Sequence, residues 1–223
     1  MLTYRVITPT GPLLRSPLSS KPHPSTRSIF KRGLDIAGSI VGLIILAILF
    51  VPIAIAIKLD SPGCIIYQQK RCGLRGHPFT LRKFRTMVKN ADALKCQIEN
   101  QAQGAIFKND NDPRITKVGR WLRRTSLDEL PQFWNVLVGE MSLVGTRPPS
   151  LDEVIYYNKR HWRRLNVKPG ITGEWQVNGR SSVKDFEAIV TLDLRYQRRW
   201  SPGYDLWLIL KTIWVVIARQ GAY

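Results

Sequence analysis

The chain has 223 residues and a net charge of +18, from 34 basic and 16 acidic side chains. Its three cysteines, Cys64, Cys72 and Cys96, form no CxxC pair, and its three histidines are scattered. A disulfide framework and a zinc signature are therefore excluded, and a polyanionic partner is indicated: anionic lipid, phosphorylated substrates or nucleic acid.

Residues 1–27 hold many Pro, Ser and Thr residues and read as a mobile tail. An uncharged apolar run then extends from Ile36 to Ile57. It starts too late and runs too long for a signal peptide core. A straight helix of that length covers roughly 33 Å, but one halted before Pro52 covers only about 24 Å, short of a hydrocarbon core. Arg27, Lys31 and Arg32 precede the run; Lys58, Lys70, Arg71 and Arg75 follow it. Basic flanks prefer the cytoplasmic side. A bend at Pro52, where a backbone donor is missing, keeps both flanks there. The expectation is a re-entrant helix–break–helix over residues 28–59, against the alternative of a single-pass anchor that tolerates its proline.

Residues 60–223 read as a cytoplasmic catalytic domain. Cys64–Gln69 and Phe79–Phe84 are strand-like, with Gly73, Gly76 and Pro78 between them, and predict a β-hairpin. A helix is expected over Asn90–Gln101, with Asn90 as a cap. Others are expected from Thr116 to before Ser126, from Leu127 to Leu137, and from Leu151 to Leu165. Lys168–Arg180 (KPGITGEWQVNGR) reads as a Gly-rich connection. In Val183–Trp200, Phe186, Ile189, Val190 and Leu194 share one helical face. After Ser201-Pro202-Gly203 a last helix runs from Tyr204 to Arg219. Trp207 and Trp214 lie two turns apart on it, with Lys211 near its centre. It reads either as an interfacial helix or as a core helix with Lys211 snorkelling. The fold class expected is α+β, mainly helical.

The densest polar grouping is RWLRRTSLDE, Arg120 to Glu129. Adjacent carboxylates on a helix point about 100° apart, so Asp128 and Glu129 can take separate roles, one attacking and one holding a cation. Arg120, Arg123 and Arg124 can carry phosphate charge. Ser126 with Glu129 also matches a capping box, and the two readings are compatible. LRKFRTM supplies Arg82, Lys83 and Arg85; strand alternation places Lys83 and Arg85 on one face. VGTRPP presents Arg147 in a Gly-Pro turn. A lipid-embedded helix, basic clusters and an acidic pair together point to phosphoryl transfer at a membrane surface, with a magnesium ion.

Taken in order, KRGLDIAGSIVGL, KFRTM, RRTSLDELPQFWNVLVGEMSLVGTRP, KPGITGEWQVNGR and the closing LDLRYQRRWSPGYDLWLILKTIWVVIARQGAY resemble the bacterial sugar transferase family, the monotopic polyprenol-phosphate hexose-1-phosphate transferases. The resemblance covers about Ser28 to Tyr223. It implies that Asp128 is the nucleophile, attacking the β-phosphate of a nucleotide diphosphate sugar, UDP-hexose above all. A phosphosugar–aspartyl intermediate then passes to polyprenol phosphate, at the start of exopolysaccharide or glycoconjugate assembly. It further implies Glu129 as the magnesium (Mg2+) ligand, Pro52 as the helix break, and Lys83, Arg123 and Arg147 as phosphate-binding residues. The implied place is the cytoplasmic leaflet of a bacterial inner membrane, with a homo-oligomer left open. Val51 stands where the family often has a small polar residue. Glu174-Trp175 stands where some members have Trp-Ala. The rivals are a basic membrane adaptor binding anionic lipid or nucleic acid, and a glycosyltransferase that moves the sugar without its phosphate. Against nucleic acid, no RRM, helix-turn-helix or zinc-finger pattern is present.

Overall fold

Ser28 opens the apolar helix: its side-chain oxygen accepts the Lys31 amide, an N-cap that fixes where α1 (Ile29–Asp60) begins. In this computed structural model, which describes residues 22–179 and 183–218, α1 is one unbroken helix of 32 residues with Pro52 inside it. The expected separation into two helices is thus corrected. Proline removes one amide donor, and the apolar turns on either side keep the helix assigned through it. The expected N-terminal tail falls largely on residues 1–21, outside the described residues.

One face of α1 meets the rest of the chain along its whole length. Lys31, Asp35, Ser39, Gly42, Ile53 and Ile57 are buried, and Leu46 and Leu49 pack beside them, a three-to-four-residue spacing that makes a single stripe. Gly42 is needed here, since a Cβ would lie 2.3 Å from the Phe133 ring. The opposite face exposes Ile40, Val41, Ile44, Ile48, Val51 and Ile55. So large an apolar surface marks contact with lipid or another apolar partner.

The hairpin forms as expected, two residues later on its first strand: β1 (Ile66–Cys72) pairs antiparallel with β2 (Pro78–Phe84). Counting helices of six residues or more, α2 (Lys117–Thr125) and α3 (Gln132–Leu137) follow. Next come β3 (Ser142–Val144) and β4 (Gly170–Thr172), then α4 (Phe186–Arg199) and α5 (Pro202–Ile217). β3 and β4 pair in parallel, Ser142 opposite Gly170 and Val144 opposite Thr172, so the Gly-rich connection holds a strand. Glu174–Val177 adds a helical turn to it. Its last residue, Arg180, lies outside the described residues.

Three expected helices are shorter than the periodicity predicts. Asn90–Gln101 yields only Ala91–Leu94 and a 3-10 turn, Lys95–Gln97; Asn90 has φ +67° and makes no cap bond. Leu127–Leu137 breaks into a 3-10 turn, Leu127–Glu129, and α3, with Pro131 between them. Leu151–Leu165 divides into Leu151–Val154, Lys159–Trp162 and a 3-10 turn, because Asn158 caps the second piece with His161 in a capping box.

Phe79, Leu81, Val136, Met141, Val144, Tyr196 and Leu208 form the core beneath β2, β3, α3, α4 and α5. A second cluster joins Ile53 and Ile57 of α1 to Phe84, Leu122 and Leu130. The two ends of α1 are pinned by polar contacts. At the start, Lys31 donates to Asp205 at 2.7 Å, and Asp35 accepts from Ser142 Oγ and the Leu143 amide. At the end, Asp60 accepts the Val118 amide, and Arg85 donates to the Ser61 and Pro62 carbonyls. On α5, Asp205 and Leu208 are buried while Leu206, Trp207, Leu210, Ile213, Trp214 and Ile217 are exposed. That pattern excludes a buried core helix. Lys211 lies across the Trp207 ring and donates to Asn178.

Candidate active site

The acidic pair sits where α2 ends. Thr116 caps α2 by accepting the Gly119 amide, and Gly119 lets the helix touch the Thr86 backbone, where a Cβ would be 2.0 Å from the carbonyl oxygen. Ser126 closes the helix in the left-handed region, φ +58°, its amide bonded to Arg123 and Leu122 carbonyls. The chain then turns at once through Leu127–Glu129. Leu127 and Leu130 pack into the cluster around Ile53 and Ile57, so the carboxylates lie at the seam between the domain and the second half of α1.

The expected capping box is absent. Ser126 makes no side-chain cap bond, and its buried hydroxyl has no partner. The residue is spent on terminating α2, which requires positive φ, and that conformation replaces the cap. Ser126→Ala should therefore cost none of the roughly 1 kcal/mol of a lost N-cap. Ser126→Gly should raise the melting temperature, because glycine adopts this conformation without strain. A melting curve in detergent checks both.

Asp128 is buried at 7% exposure. Glu129 accepts from Lys83 Nζ at 3.2 Å, across from the end of β2. Arg123 Nε donates to Thr86 Oγ1 at 3.0 Å, which fixes its guanidinium beside the same strand end. Asp128, Glu129, Lys83 and Arg123 are thus gathered on neighbouring elements. Arg85 does not join them: β2 stops at Phe84, and Arg85 turns away to cap the end of α1.

Arg147 belongs to a second basic cluster. It forks onto Glu153 with bonds of 2.7 and 3.1 Å, and Arg71 shares that carboxylate at 3.7 Å. The Trp175 ring lies 5.9 Å from its guanidinium carbon. Arg71 and Tyr67 alternate onto one face of β1, and Tyr67 stands opposite Lys83, so the two clusters are separated by roughly 13 Å of strand. Beneath Arg147, the fully buried Arg164 pairs with Asp193 and bonds Tyr157. Sequence reasoning missed Thr86, Arg71, Glu153 and the Arg164–Asp193 pair. Nothing in their local spacing marks them, since each acquires its role from a residue distant in sequence.

Burial alone would push the Glu153 carboxyl up, but the Arg147 and Arg71 charges outweigh it and hold its pKa below the ordinary 4.5. A carboxylate lowered on folding adds stability above its unfolded pKa, and that stability is lost as pH falls through the folded value. Between about pH 6 and pH 3 the wild type should lose more melting temperature than Glu153→Gln does. Equal losses would contradict the pairing.

Among the described residues no three Asp, Glu, His or Cys side chains converge as a metal-binding group. A magnesium ion does not require three, since it binds through one or two carboxylates plus substrate phosphates and retains water. The hard oxygen donors of Asp128 and Glu129 fit that mode, with the second Glu129 oxygen outside its bond to Lys83.

The fold and the site define an α+β domain clamped along one long apolar helix, with an acidic pair and basic residues at the seam. The chain belongs to the bacterial sugar transferase family, whose model matches residues 26–219. It is 48% identical over 196 residues to the galactosyl transferase CpsE of Streptococcus agalactiae serotype III (strain NEM316), covering 87% of this chain and 43% of that one. It is 39% identical over 223 residues to the UDP-glucose:undecaprenyl-phosphate glucose-1-phosphate transferase of Escherichia coli K12, covering 96% and 45%. The exopolysaccharide production protein ExoY of Sinorhizobium fredii NGR234 is 38% identical over 201 residues, covering 87% and 88%. The chain therefore spans less than half the length of the first two relatives and most of the third.

Proposed function

We propose that this chain transfers hexose-1-phosphate from a nucleotide diphosphate sugar, UDP-hexose, to polyprenol phosphate, and so begins an exopolysaccharide or glycoconjugate. The observation that carries the reading is the buried Asp128 beside Glu129, at the seam of the apolar helix, with Lys83 bonded to Glu129 and Arg123 held at the neighbouring strand end by Thr86. A soluble donor and a lipid-held acceptor must meet at such a seam.

An Asp128 oxygen attacks the β-phosphorus. The bond from that phosphorus to the bridging oxygen breaks, and nucleoside monophosphate leaves with the electron pair. An oxygen of polyprenol phosphate then attacks the same phosphorus and displaces the Asp128 carboxylate, giving polyprenol-diphosphate-sugar. Burial keeps water from the aspartyl acyl phosphate between the steps. Lys83 and Arg123 neutralise charge on the transferring phosphate, and Arg147, with Arg71, holds the remainder of the donor. Glu129 would hold a magnesium ion, which would supply charge neutralisation at the phosphates. Release of nucleoside monophosphate from donor plus undecaprenyl phosphate tests the reaction. Release of diphosphate would establish sugar transfer without phosphate, and no turnover would favour a basic adaptor.

The re-entrant arrangement belongs to the same proposal. Both ends of α1 bond to one domain, Lys31 and Asp35 at the start and Asp60 at the finish. A hydrocarbon core of about 30 Å could not separate those ends without breaking the contacts. The helix therefore dips its exposed apolar face into the cytoplasmic leaflet of the inner membrane, bends at Pro52 and returns, and the exposed tryptophans of α5 lie at the headgroups. Native Cys64 is exposed just past α1. It and an Arg27→Cys probe, in a Cys96→Ser background, should both resist an impermeant thiol reagent applied from outside intact cells. Labelling of one alone would establish a spanning anchor.

A further inference from the structure

At the start of α1, a cleft of about 350 Å³ opens between the helix and the chain before β4, lined by Arg27, Ser28, Lys31, Arg32, Asp35 and Lys168. Its charges do not balance. Lys31 is consumed by Asp205. Asp35 is turned to Ser142 Oγ and the Leu143 amide. Arg32 donates to the Val136 and Leu137 carbonyls at the end of α3, contacts that orient it and leave its charge uncancelled. Among the described residues the Lys168 ammonium has no hydrogen bond and no ion pair within 4 Å, and the nearest carboxylate in the cleft, Asp35, is committed to Ser142 and Leu143. The Lys168 ammonium and the Arg32 guanidinium both border Gly139, 3.5 and 3.8 Å from where a Cβ would stand. Burial first, then the Arg32 charge, push the Lys168 pKa down, and together they outweigh the upward pull of Asp35. Ile29, which also lines the cleft, is exposed.

We infer that this cleft is an anion site for a phosphate group, held by Lys168, Arg32 and Arg27, at the opposite end of α1 from the acidic pair. About twenty residues of helix, roughly 30 Å of its path, separate it from Ile53 and Ile57 under Asp128, so it does not serve the reacting phosphates. It stands whether or not the transferase reading holds. Two sources carry the same chemistry: the headgroup of an anionic phospholipid, and soluble phosphate. The exposed apolar Ile29 in its lining favours the headgroup.

Amine acetylation of Lys168, followed by mass spectrometry of the full chain, reads the site, with Lys117 on α2 as internal reference. In nanodiscs of phosphatidylcholine with phosphatidylglycerol, Lys168 should react about fivefold more slowly than in phosphatidylcholine alone, as an occupied site requires. The Arg27→Gln and Arg32→Gln variants should each reduce that protection. Protection in detergent by millimolar inorganic phosphate would identify soluble phosphate as an occupant. Its absence there, with protection by phosphatidylglycerol, identifies the headgroup. Equal rates in both nanodiscs together with no effect of phosphate would overturn the inference, as would protection unchanged in both arginine variants.

Discussion

Asp128→Asn should lower nucleoside monophosphate release at least about a thousandfold, because an amide cannot attack phosphorus and no other carboxyl stands in its place. The substitution preserves shape, so the melting temperature should stay near that of the wild type. Glu129→Gln should behave differently. It removes the charge that pairs with Lys83 and weakens a magnesium ligand, so activity should fall and recover in part as magnesium is raised. Full activity in Asp128→Asn would remove the nucleophile from its place. Identical magnesium profiles for Glu129→Gln and wild type would remove the metal role from Glu129.

Asp193→Ala should be among the most destabilising single substitutions in the domain. Arg164 is fully buried, with Nε and a terminal nitrogen on Asp193 and the other on Tyr157. Removing the carboxylate leaves a buried guanidinium uncompensated, at a cost of about 3–5 kcal/mol. For a chain of this size that lowers the melting temperature by roughly ten degrees. The double variant Arg164→Met/Asp193→Leu should regain most of that stability, because both charges leave together. Its activity should stay low, since the Arg164 side chain also bonds the Arg147 carbonyl. If the double variant recovers activity along with stability, the pair serves the fold alone and has no part in positioning Arg147.

Elements with strong local signals were legible in the sequence. The apolar run gave α1, though not its passage through Pro52, where tertiary contact along Leu46, Leu49 and Ile53 supports the turns on either side of the missing hydrogen bond. Thr116 gave the start of α2, and alternation gave the hairpin. The strand β4 was hidden among glycines because its pairing with β3 spans the whole stretch from Ser142 to Thr172. Its glycine is a packing requirement, since a Cβ at Gly170 would fall 2.1 Å from the Gly145 amide. At the site, the acidic pair and Lys83 could be picked out by residue type. Ser126 could not: a serine followed three residues later by glutamate reads as a cap, and only the left-handed backbone shows that it ends α2 instead. Arg147 and Lys83 were grouped by charge, yet each is held by its own carboxylate, Glu153 and Glu129.

Covalent capture tests the chemistry most directly. Purified protein given magnesium and UDP-hexose without polyprenol phosphate, quenched and digested, should yield a peptide holding Asp128 heavier by one hexose phosphate. The added mass should vanish when polyprenol phosphate is supplied, and it should be absent from Asp128→Asn. Product formation with no adduct on that peptide at any quench time, or an adduct on another side chain, would contradict the mechanism.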